Sequence, residues 1–149
     1  AIITNTGGVT KKTYSDKNTI ASGLSAAGAA LTLTFTRHPF YAKIVAQLID
    51  NNDNEVSTML IDVAGGERGG DANPLDLALG PISIFGTSQS SNPWSSTVSV
   101  TPTTMVLTPS AGFNTGAGSY SIFVEYISPN PAGALTSVTQ NGTVTPFGY

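Results

Sequence analysis

From Leu31 onward, apolar and polar residues alternate with period two. Leu31, Leu33 and Phe35 are interleaved with Thr32, Thr34 and Thr36, as in a half-buried strand. After His38-Pro39 the alternation resumes. Phe40, Ala42, Ile44, Ala46 and Leu48 take one face; Tyr41, Lys43, Val45, Gln47 and Ile49 take the other. Asn51-Asn52-Asp53-Asn54 is a turn cluster, and Val56 to Ile61 reads as the returning strand of a hairpin. Leu75, Leu77 and Leu79 fit a strand or an irregular segment. Shorter strands are expected at Ile82–Phe85, Thr97–Val100 and Met105–Thr108, punctuated by Pro102 and Pro109. Tyr120 to Ile127 is the strongest single strand. Both of its faces carry apolar groups, which predicts a central place in a sheet. Asn141-Gly142, set between alternating residues, is a strong hairpin signal because both positions tolerate positive φ.

About seven to nine short strands with Gly, Pro and Asn punctuation predict an all-β protein. The expected architecture is an antiparallel β-sandwich, jelly-roll-like rather than Ig-like, with extended N- and C-terminal segments. Residues 1–29 carry few large apolar groups and read as an arm or a first strand, with a strand around Thr10–Tyr14. Residues 30–149 read as the sandwich domain, ending in an extended hairpin.

Composition narrows the functional classes. Of 149 residues, 20 are Thr, 16 Ser, 16 Gly and 9 Pro, while only 10% are charged. The length suits one domain with a substantial core. The net charge of −3 leaves no basic patch for phosphate neutralisation, so neither nucleic acid nor an anionic membrane surface is expected as a partner. Cysteine is absent, which removes disulfides, thiolate metal sites and thiol nucleophiles. No apolar run reaches the length of a membrane-spanning helix. The N-terminal residues lack the basic start and apolar run of a signal peptide.

Candidate chemistry is sparse. His38 is the single histidine, and nothing near it in sequence supplies a triad or a metal site. Asp50-Asn51-Asn52-Asp53-Asn54-Glu55 matches three oxygen-ligand positions of a calcium loop. It fails at the positions that require Gly and the final Glu, although a loose site on Asp50 and Asp53 stays open. Gly65-Gly66-Glu67-Arg68-Gly69-Gly70 lacks the spacing of a phosphate loop and reads as a contact loop. Glu125 and Asp62 are the acids placed in or at the end of strands, where paired carboxylates could serve glycoside hydrolysis. Trp94 either plugs the end of the sandwich or sits in a contact. The residues expected to meet a partner are Lys11, Lys12, Tyr14, Glu67, Arg68, Trp94, Phe147 and Tyr149. With no assembled catalytic motif, the chain is expected to be no enzyme and to need no cofactor.

In size, composition and strand layout the chain resembles the tailed-phage capsid decoration (cement) proteins. The segments carrying the resemblance are Leu31–Ile61 (LTLTFTRHPFYAKIVAQLIDNNDNEVSTMLI) and Ser119–Ser128 (SYSIFVEYIS). The resemblance implies a virion structural protein that binds and stabilises the outer surface of a viral shell. Its partners would be the major capsid protein and further copies of the chain in a homotrimer. The alternative is a carbohydrate-binding or adhesive module of a fibre or pilus, extracellular and with a glycan as partner.

Overall fold

The computed structural model describes residues 10–19, 29–36, 39–50, 55–65, 75–87, 94–109, 118–129, 134–140 and 143–145. These form ten strands: β1 (Thr10–Thr19), β2 (Leu31–Phe35), β3 (Phe40–Asp50), β4 (Glu55–Gly65), β5 (Ala78–Thr87), β6 (Trp94–Val100), β7 (Thr104–Pro109), β8 (Gly118–Ser128), β9 (Leu135–Gln140) and β10 (Thr143–Thr145). They build two five-stranded sheets, ordered β1-β8-β3-β4-β5 and β10-β9-β2-β7-β6. Every pairing between neighbours is antiparallel.

The alternation read from the sequence decides which residues face inward. In β3, Phe40, Ala42, Ile44, Ala46 and Leu48 are buried; in β8, Tyr120, Ile122, Val124 and Tyr126 are. They share one core with Leu31, Leu33, Phe35, Met105, Leu107 and Val138 of the other sheet, so the two sheets pack face to face. Each fully buried Leu, Ile, Val, Phe or Met among them contributes about 1.5–3 kcal/mol by leaving water.

β3, β4 and β5 follow one another as antiparallel neighbours, and β8 returns to lie beside β3. This is the Greek-key order, from which jelly rolls are also assembled. β8 lies between β1 and β3, as its two apolar faces predict. Asn141-Gly142 falls outside the described residues, but the strands on either side of it pair as a hairpin, with Thr143 opposite Gln140.

Three details differ from the sequence reading. The first strand runs on to Thr19, so that its whole length pairs with β8. Leu75 to Leu77 is irregular, and β5 starts at Ala78 and passes through Pro81. Proline is tolerated there because β5 is an edge strand, with a ladder on one side only. β6 begins at Trp94 rather than Thr97, with a register shift between Trp94 and Val98.

An aromatic contact crosses the sandwich, and hydrogen bonds within each sheet close its ends. Phe35 of β2 stacks on Phe40 of β3, with ring centroids 4.4 Å apart and planes 11° apart. The Ser128 hydroxyl, buried at the end of β8, donates to the Pro39 carbonyl at 2.8 Å. The β6–β7 turn is closed by Thr101, whose N–H donates to the Thr104 carbonyl at 2.9 Å. The Thr101 hydroxyl in turn accepts from the Thr104 N–H, also at 2.9 Å. Among the described residues no helix is long and apolar enough to cross a membrane.

Candidate functional site

The outward-facing residues of the two sheets differ in kind. On the β10-β9-β2-β7-β6 sheet they are mainly hydroxyls. Thr139, Thr32, Val106 and Ser99 form one row across the strands, and Ser137, Thr34 and Thr104 form another. On the β1-β8-β3-β4-β5 sheet the registers line up Ser15, Phe123, Val45, Leu60 and Ser83 in a single row. Phe123 is 41% exposed, Leu60 38% and Val45 37%. Ile127, Tyr41 and Phe85 lie exposed on the same face. Exposed apolar side chains gathered on one face, with hydroxyls on the other, make the first the candidate contact surface.

Two features structure this face. The first is an open groove of about 600 Å³ beside Phe123, lined by Ser15, Val45, Gln47, Thr58, Ser121, Ile122 and Phe123. The Gln47 side-chain amide donates to the Thr58 hydroxyl at 3.4 Å, across the β3–β4 ladder. The second is a charged row next to the apolar one: Thr13, Glu125, Lys43 and Asp62 stand opposite one another on β1, β8, β3 and β4. One position further along, the Tyr41 phenol donates to the Asp62 carboxylate at 3.0 Å. The Tyr41 pKa is raised from its ordinary value. Partial loss of hydration is the largest cause, followed by the bond to Asp62 and the negative charges of Asp62 and Glu125. Tyr41 therefore keeps its proton and acts as a hydrogen-bond donor at neutral pH.

Glu125 and Asp62 are brought onto one face, as paired carboxylate chemistry requires, but Lys43 stands between them. Among the described residues no group of three or more His, Cys, Asp or Glu side chains could hold a metal ion. The Asp50–Asp53 loop and His38 lie wholly or partly outside what the structure describes.

The expected contact residues are dispersed. Lys11 is exposed and opposite Ile127, on the outer face. Lys12 has the opposite parity and is half-buried, because successive residues of a strand point to opposite sides. Tyr14 is 2% exposed and packs in the core. Trp94 is also 2% exposed, so it plugs the sandwich instead of lining a surface. Glu67, Arg68, Phe147 and Tyr149 lie outside the described residues. The sequence reading missed Phe123, Val45, Leu60, Gln47, Thr58 and Tyr41. The available signal is apolar residues at both parities of β3 and β8; in β8 that pattern predicts a central place in the sheet and does not single out a contact face.

No protein-family model matches the chain, and no curated protein matches it by sequence. Among solved structures it is similar to the tailspike protein gp49 of Acinetobacter baumannii bacteriophage Fri1, a capsular polysaccharide depolymerase. The TM-score is 0.54 and the identity 11%; the likeness covers 93% of this chain and 20% of the tailspike. The chain thus spans about one fifth of that protein's length. At this identity the likeness concerns the fold: an all-β fold also found in a bacteriophage protein. It does not extend to the capsid decoration proteins in particular. It also overturns the expectation that the chain is no enzyme, since a fold of this kind occurs within a depolymerase.

Proposed function

We propose that the chain is a surface module of a bacteriophage particle and that the outer face of the β1-β8-β3-β4-β5 sheet is its contact face. The observation carrying this reading is the exposed row Phe123–Val45–Leu60, set against the hydroxyl-covered face opposite. The tailspike likeness supports it, because nearly all of this chain superposes on a fraction of a longer virion protein. In the narrower form of the proposal, the module decorates the capsid, with the major capsid protein and further copies of itself as partners.

Sedimentation of particles from the native source tests the reading. The protein should travel with the particles and be accessible to antibody on their exterior. Chains carrying Phe123→Asp or Leu60→Asp should stay folded but associate less. Recovery solely as a small free species would discard the proposal. Labelling restricted to tails would discard the capsid form and keep the surface module.

A further inference from the structure

The groove beside Phe123 has a lining whose chemistry selects a ligand. Ser15, Gln47, Thr58 and Ser121 come from β1, β3, β4 and β8 and line the groove together with Phe123. Three hydroxyls and a carboxamide offer donors and acceptors together. The bond to Thr58 occupies one amide proton of Gln47. Its second N–H and its carbonyl oxygen are the groups an incoming ligand can engage.

Charge narrows the choice. Among the described residues, none lining the groove is ionisable at neutral pH. The row on one side of Phe123 holds two carboxylates and a lysine, and on the other side the register sets Lys17 opposite Ser121, so residues of both charges flank the groove. A phosphorylated, sulfated or uronate ligand would find no concentrated counter-charge to offset the loss of its hydration. A purely apolar ligand would strand four polar side chains away from water. What remains is an uncharged molecule with hydroxyls at its edge and a C–H face to lie on an aromatic ring. The volume of about 600 Å³ falls within the usual range of small-ligand sites. The groove is open to solvent and is lined from four strands, which suits a segment of a polymer.

We infer that this groove is a binding site for a neutral oligosaccharide. Phe123 would supply the stacking platform, and Gln47, Thr58, Ser15 and Ser121 the polar rim. The inference rests on the reading of this face as the contact face and names what it contacts.

The test titrates the 149-residue protein with maltohexaose, cellohexaose and chitohexaose, with a hyaluronan hexasaccharide as the anionic comparison. Amide-shift mapping reads the site. A neutral saccharide should shift resonances of Ser15, Gln47, Thr58, Ser121 and Phe123. Phe123→Ala should weaken binding about tenfold or more, with the melting temperature held. Gln47→Ala should weaken it independently. Silence with all three neutral probes, preference for hyaluronan, or shifts away from these residues would overturn the inference. So would self-association that Phe123→Ala abolishes, because the face would then be an interface between copies. Particle sedimentation separates the two levels: association without saccharide binding removes the inference and keeps the surface module. Saccharide binding without particle association does the reverse.

Discussion

The indole N–H of Trp94 donates to the backbone carbonyl of Ala46 at 3.0 Å, and this bond joins one sheet to the other. The ring is buried in the core while the chain around it lies at the start of an outer strand. Trp94→Phe keeps most of the packing and loses the bond, at a cost of about 1–3 kcal/mol. Trp94→Ala should cost roughly 3–5 kcal/mol. Denaturant titration measures both costs, followed by tryptophan fluorescence in the wild type and by circular dichroism in the variants, which lack the fluorophore. Because Trp94 is the single tryptophan, wild-type emission should shift to the red in one step on unfolding.

A second expectation concerns Gly86. A Cβ at this position would run into the Val56 carbonyl and stand 2.8 Å from the Ser57 Cα, both backbone atoms of β4. Backbone cannot rotate aside as a side chain can. Gly86→Ala should therefore destabilise by about 1–3 kcal/mol, the usual cost of overpacking. Hydrogen exchange should locate the loss at the β4–β5 ladder; equal protection of that ladder in both proteins would count against the close approach.

The end of the β3–β8 ladder can be probed at Ser128. Its buried hydroxyl donates to the Pro39 carbonyl. Ser128→Ala leaves that acceptor with one partner fewer and should cost about 1–3 kcal/mol. Thermal unfolding measures it, and an unchanged midpoint would mean that water replaces the hydroxyl.

Tyr41 predicts a dependence on alkaline pH. Its folded pKa lies above the unfolded value of 10.0. The native state thus holds a proton that the unfolded chain releases first. The associated stability is fully present below pH 10, and it declines as pH rises from there through the folded pKa. Asp62→Asn removes the charge and changes the acceptor of the bond, so Tyr41 should ionise at lower pH than in the wild type. Ultraviolet titration of the phenolates reads this directly, and identical curves would contradict the stated causes.

Much of the architecture was legible because burial imposes period two on strands. Leu31 to Phe35 and Phe40 to Leu48 have the burial that their alternation predicts. The face carrying the proposed site was harder to read. Phe123, Val45 and Leu60 lie far apart in the chain and become neighbours only through the pairing of β8, β3 and β4. A single strand with apolar residues on both sides looks the same whether its second face meets another layer or a ligand. Trp94 shows the converse: its local sequence leaves a plug and a contact equally open, because the inter-sheet bond cannot be foreseen locally. The dispersal of Lys11 and Lys12 is implicit in the alternation, since adjacent residues of a strand point to opposite sides.

The pairing of β1 with β8 sets Thr10 against Ser128 and Thr19 against Ser119. Such partners meet only after nearly all the intervening chain is available. β3, β4 and β5 need no such wait, since each pairs with the next. A nascent chain can thus form this meander while its apolar inner face still lacks a cover, and the first strand has no mate until β8 is made. Closing pairs of this separation slow folding and prolong the exposure of unsatisfied edges. The interval of greatest exposure to aggregation is therefore the one between completion of β5 and the arrival of β8.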